Sequence, residues 1–168
     1  MAQKAITAKE LNENNKPNSN VVLGLQTQVA NAFILYLNYK HYHWQTFGPL
    51  FRDLHLLFDE FAGEVYATID DMAERVRMIG PNPVSRIEEF QKTATIQSAK
   101  DSTDMREMIR EADENALTVI REMRAAIKTA DEADDPGTAD VLTRFVQIHE
   151  KHEWWLRDIL EKRDGLTT

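Results

Sequence analysis

The chain has 168 residues, 42% of them apolar and 29% charged, a composition of one folded domain with a real core and not of a disordered chain. Twenty Lys and Arg against 28 Asp and Glu leave a net charge of −8, which disfavours nucleic acid on the protein body and favours traffic in cations. With no cysteine, disulfides, zinc fingers, thiol catalysis and Cys-ligated iron–sulfur clusters are excluded.

Residues 1–20 read as a flexible polar tail. They hold no apolar signal core, and no apolar run nears the ~20 residues of a membrane span, so a cytoplasmic protein without membrane contact is expected. The breakers that follow are clustered: Gly48-Pro49, the Gly80-Pro81-Asn82-Pro83 run, and Pro136-Gly137. Between them lie four stretches of helical periodicity, over about 21–47, 49–79, 103–130 and 138–162. The second is the clearest, with Leu50, Leu54, Leu57, Phe58, Phe61, Val65, Ile69, Met72, Val76 and Ile79 on one stripe. The long connection from Gly80 to Ser102 has room to cross the bundle and to carry a short helix over 84–91.

These elements predict an all-α fold, a four-helix bundle over 21–163 with a long crossover between helices two and three, the ferritin-like variant, followed by a short C-terminal tail over 164–168. The first helix is apolar around nearly its whole circumference, from Val21 through Tyr39. Such a helix has to be buried on both sides, which points to packing against a second subunit.

Chemistry concentrates around the first turn. His43 lies five residues before Gly48 and His55 six residues after Pro49, so an antiparallel helix pair sets them at one height. Asp59 follows His55 by four residues, and Asp70 and Glu74 form another pair four apart. At 100° per residue, His55, Asp59, Asp70 and Glu74 share about 100° of arc. Imidazoles and carboxylates on one face suit a divalent ion such as Fe²⁺, Mn²⁺ or Zn²⁺. His55 and Asp70, however, are separated by roughly 22 Å of helix, too far to share one ion within a chain. Either each cluster is a half-site by itself, or a second chain related by a two-fold axis supplies the missing half.

The stretch from Tyr39 to Gly80 resembles the signature of Dps, the mini-ferritin family of DNA-binding proteins from starved cells. The family pattern is His-Trp, a His 12 residues after the first, an Asp four later, an Asp 11 later and a Glu four later. Here it falls on His43-Trp44, His55, Asp59, Asp70 and Glu74, within Asp70-Asp71-Met72-Ala73-Glu74-Arg75. The resemblance extends over nearly the whole chain. It implies a dodecameric shell built from two-fold dimers, with ferroxidase centres between subunits that oxidise Fe²⁺ with H₂O₂ or O₂ and store ferric mineral. It also implies that His43, His55, Asp59, Asp70 and Glu74 are the metal ligands, that Zn²⁺ competes there, and that Trp44 donates electrons beside the centre. The alternatives are a DNA-compacting structural protein and a zinc buffer without oxidation. Residues 1–20 carry Lys4, Lys9 and Lys16 against Glu10 and Glu13, too little charge for more than weak DNA binding.

The remaining histidines lie outside the pattern. His41 points away from the site, toward surface or interface. His149 and His152 share an inner face with Leu142, Phe145, Leu156 and Ile159, which suits hydrogen-bonded core residues or an extra metal site. The acidic run Asp131–Asp140 carries Asp134, Asp135 and Asp140, which the resemblance suggests line pores that draw in Fe²⁺.

Overall fold

A computed structural model describes residues 18–162. Within them the chain forms α1 (Ser19–Gln45), α2 (Phe51–Met78), α3 (Ile87–Thr93), α4 (Met105–Glu132) and α5 (Pro136–Leu160), and no strand occurs among the described residues. The expected helices are present, with ends shifted by a few residues. The N- and C-terminal tail expectations fall mostly on residues 1–17 and 163–168, outside the described residues.

The helix ends follow from local chemistry. Asn18, Asp104 and Asp135 cap α1, α4 and α5 by accepting from backbone N–H groups two or three residues on. Pro136 occupies the first turn of α5, where its missing N–H costs nothing. Gly80 follows α2 at φ +119°, a backbone conformation that only glycine adopts without strain.

α1 packs on α2 and α4 on α5, and the two pairs close on each other through α1–α4 and α2–α5 contacts. The core between them holds Leu25, Leu35, Tyr39, Phe58, Phe61, Met72, Met108, Met123, Leu142 and Leu156, all essentially inaccessible.

The apolar circumference of α1 has a partly different explanation from the expected one. Its second side is covered in good part by the chain's own crossover. Phe33 stacks on Phe90 of α3 at 4.2 Å. Two buried amides then hold the segment that follows. Asn31 accepts from the Thr95 N–H at 2.8 Å and donates to its hydroxyl, and Asn38 donates to the Gln97 carbonyl while accepting from the Ala99 N–H, both at 2.8 Å. Leu23 and Leu37 remain more than half exposed. By length and composition α1 could cross a membrane, and half of its most apolar stretch is packed inside the bundle, as befits a core helix.

The amides make a testable contribution. Asn38→Leu leaves the Gln97 carbonyl and the Ala99 N–H without their partner, so urea denaturation should show a loss of about 2 kcal/mol, the scale of stranded polar groups.

Candidate metal centre

The turn between α1 and α2 brings His43 and His55 face to face, as their spacing predicts. Their rings stack at 3.7 Å between centroids. Each Nδ1 pairs with the other residue's backbone carbonyl, His43 Nδ1 to His55 O at 2.6 Å and His55 Nδ1 to His43 O at 2.9 Å. A carbonyl only accepts, so both Nδ1 atoms carry a proton, and in the neutral form of each imidazole Nε2 is the lone-pair donor. This is the second-sphere arrangement that orients an imidazole toward a metal. Phe51 stacks on the outer side of His55 at 5.1 Å.

Asp59 lies on the same face, held by Lys40 of α1 at 2.6 Å. The Lys40 hydrogen bond, outweighing a small desolvation cost, keeps this carboxyl below its usual range. Lys40 was not among the residues the sequence pointed to, although it sits one turn before His43. Its ammonium also lies 5.6 Å from the centre of the Trp44 ring. Trp44 itself is 68% exposed, so it is no core residue of the single chain.

Asp70 and Glu74 lie further along α2, exposed and without hydrogen bond or ion pair among the described residues. Their neighbours are paired: Asp71 faces Arg144 at 3.8 Å, and Arg75 donates to Asp135 at 2.5 Å and to the Thr138 hydroxyl at 3.0 Å. Asp70 and Glu74 are thus two free carboxylates one turn apart, among acids that have found cations.

The stripe carrying all four α2 residues faces outward, away from the bundle core. No group of three or more His, Asp or Glu side chains converges as a metal site within the chain among the described residues. The spacing has one further property. His55/Glu74 and Asp59/Asp70 share a single midpoint, between Glu64 and Val65. Close to it stand Gly63, whose added Cβ would meet nothing within 4 Å, and Tyr66, 60% exposed.

A ferritin-like domain model matches residues 22–165. A DNA protection during starvation protein of Brevibacillus brevis is 36% identical over 141 residues, 84% of this chain and 95% of that protein. The chain belongs to the Dps family of ferritin-like proteins. Dps from Thermosynechococcus elongatus superposes with a TM-score of 0.85 at 47% identity, over 89% of this chain and 96% of that one. Dps from Vibrio cholerae, described as a member of a broad superfamily of ferritin-like diiron-carboxylate proteins, has a TM-score of 0.80 at 26% identity, over 85% of this chain and 90% of that one.

The other expectations drawn from the Dps resemblance divide. Asp135 is engaged in the α5 cap and the Arg75 pair. Asp140 is exposed and 3.6 Å from Arg144, and Asp134 is exposed. His41, expected at the surface or an interface, is half-buried in the single chain, edge-on to Tyr42 at 5.9 Å, and its Nε2 is buried without a partner.

His149 and His152 are both buried in the core. His152 is hydrogen-bonded, with Nε2 2.7 Å from Glu64 Oε2 and Nδ1 3.5 Å from the Tyr39 hydroxyl. Neither ring nitrogen of His149 has a partner. Burial pushes the pKa of His149 down to about 3 and that of His152 to about 4, the second despite the opposing pull of Glu64.

Proposed function

We propose that this Dps chain is a mini-ferritin that binds Fe²⁺ at centres shared between two subunits, oxidises it with H₂O₂ or O₂, and stores the ferric product within a closed shell. Fe²⁺ is here the substrate. The single observation that carries the reading is the outward-facing stripe, with two pre-oriented Nε2 atoms at one end, two free carboxylates at the other, and one common midpoint. A two-fold axis at that midpoint sets His55 opposite Glu74 of the partner subunit and Asp59 opposite Asp70 of the partner subunit, so one dimer completes two identical centres.

Each residue has a definite role in that dimer. Nε2 of His43 and His55 supplies neutral nitrogen donors. Asp70 and Glu74 supply charge that offsets the ion's own and favours Fe³⁺ over Fe²⁺. Asp59 joins once the cation displaces the Lys40 ammonium, which keeps the carboxylate ionised until then. Trp44, exposed on the same end of the bundle, is a further electron source. The same reading assembles twelve chains into a cytoplasmic shell, with DNA bound weakly or not at all.

Stopped-flow absorbance of Fe²⁺ mixed with O₂ and with H₂O₂ tests it. Oxidation should outpace that in buffer and be blocked by Zn²⁺. Oxidation no faster than in buffer, with Zn²⁺ still bound, would favour the metal-buffer reading. A gel shift that survives moderate salt would favour DNA compaction.

Assembly gives a second test. Gly63 costs a helix interior about 1 kcal/mol relative to Ala, and nothing in the single chain requires it. The two-fold register sets it against Tyr66 of the partner subunit, a small residue receiving a large one. Light scattering should find the wild type near twelve times 19.4 kDa. Gly63→Arg should shift the mass to smaller species and abolish rapid Fe²⁺ oxidation with the helix content unchanged.

A further inference from the structure

We propose that Tyr39, acting through His152 and Glu64, is a buried one-electron donor that discharges the radical left when peroxide meets a centre holding a single Fe²⁺. The physiological half of this proposal rests on the iron-oxidation reading above; the redox site itself stands on the bundle's own geometry.

The chain of contacts runs from the core to the surface. The Tyr39 hydroxyl, fully buried on α1, is 3.5 Å from His152 Nδ1 on α5. His152 Nε2 is 2.7 Å from Glu64 Oε2 on α2. Glu64 is about one-third exposed and is paired with Lys151. The proton positions follow from the acceptors. Lys151 and His152 favour an ionised Glu64, which lies below the usual carboxylate range although desolvation opposes this. A carboxylate only accepts, so Nε2 carries the imidazole proton. His152 is neutral near pH 7 because burial depresses its pKa. Its Nδ1 is then a lone pair, and the Tyr39 hydroxyl is its donor.

That order is what a phenol needs to lose an electron. Burial, together with the charges of Asp113 and Glu64, raises the Tyr39 pKa well above normal, so the phenol is never ionised beforehand. Its radical cation is a strong acid and needs a base in contact. His152 is that base, and Glu64 stabilises the imidazolium that forms. Phe61 stacks on the imidazole at 3.8 Å and keeps its plane fixed. Phe58 and Tyr42 close round the Tyr39 ring at 6.1 and 6.4 Å, and exclude water that would quench a radical. His43 lies four residues further along α1, about 6 Å of rise.

The steps balance. H₂O₂ accepts two electrons and one Fe²⁺ gives one, leaving Fe³⁺, hydroxide and a hydroxyl radical. An electron passes from Tyr39 to that radical, which becomes hydroxide, while the phenolic proton moves to His152 Nδ1. A later Fe²⁺ returns the electron and becomes Fe³⁺, and the proton moves back to the phenolate oxygen.

The test has two arms. In the first, the iron-free shell is oxidised by azide radicals from pulse radiolysis at neutral pH. A long-lived neutral tyrosyl absorption should form in the wild type. It should vanish in Tyr39→Phe and persist in Tyr36→Phe/Tyr42→Phe/Tyr66→Phe, which keeps Tyr39 as its sole tyrosine and decides the matter if Tyr39→Phe does not assemble. His152→Gln, or Glu64→Gln if that chain does not assemble, should slow its formation about 100-fold, the scale of a positioned base. The same signal in Tyr39→Phe, its loss in the triple variant, or unchanged kinetics in the relay variants would overturn the proposal. In the second arm, shells with one Fe²⁺ per centre are freeze-quenched after H₂O₂ and examined by electron paramagnetic resonance. The Tyr39 radical should appear there too. Rapid iron oxidation without it would overturn the proposed sink. A Tyr39 radical in the first arm with no iron oxidation in the second would uphold the redox site and sink the iron-oxidation reading instead.

Discussion

Shells refolded from equal amounts of His43→Ala/His55→Ala chains and Asp70→Ala/Glu74→Ala chains should recover about one quarter of wild-type Fe²⁺ oxidation, although each variant alone is nearly inactive. Every centre in a pure variant lacks half its ligands. A mixed dimer has one centre that has lost both halves and one that keeps both. Random pairing makes half the dimers mixed, so about a quarter of all centres are restored by two-fold symmetry. Stopped-flow oxidation on shells whose mixing has been verified by mass spectrometry is the measurement. No recovery would mean that each chain builds its own site, against the outward-facing stripe.

Acid should destabilise the fold well before its carboxylates titrate. His149 and His152 are buried and neutral, with folded pKa values of about 3 and about 4, below the ordinary unfolded value of about 6.5. Between those limits the unfolded chain binds protons that the folded chain refuses, so stability falls as the pH drops from about 6.5 toward 4 and is recovered on raising it. From pH 7 to 5 each imidazole costs about 2 kcal/mol, about 4 kcal/mol per subunit for the pair. Denaturant titrations at the two pH values should show this loss, and His149→Leu should halve it. That substitution should also raise stability at pH 7, because it removes two buried nitrogens with no partner. A pH dependence unchanged by His149→Leu would mean that the imidazole is charged or solvated in the folded protein.

The local part of the fold was legible because it is written in short spacings. The breakers at Gly48-Pro49 and Gly80–Pro83 fall in the observed connections, Pro136-Gly137 opens α5, and capping residues sit at the observed starts. His43 and His55 meet because both are fixed distances from one tight turn, and rigid helices carry that register upward. The outward stripe on α2 is helical arithmetic in the same way.

The non-local part was not legible. The second side of α1 pointed to another subunit, whereas α3 and the segment after it cover much of it. Asn31 and Asn38 gave no apolar signal, and their partners lie about sixty residues away. Lys40 and Asp59 sit on different helices, so no spacing within either could pair them. Asp135 looked like one more acid in a loop until Arg75 reached it from α2.

By itself the sequence determined the helices, the turn that stacks two imidazoles, and a stripe whose two halves cannot share an ion within one chain, because all of these follow from a rise of 1.5 Å and a turn of 100° per residue. Only the tertiary structure decided which polar groups are matched inside the bundle. It left His149 without a partner, set His152 between Tyr39 and Glu64, and took Asp135 out of the free acids. The reason is that burial and hydrogen-bond partnership depend on which helices cross at what height, and that is settled by the packing of side chains far apart in the chain.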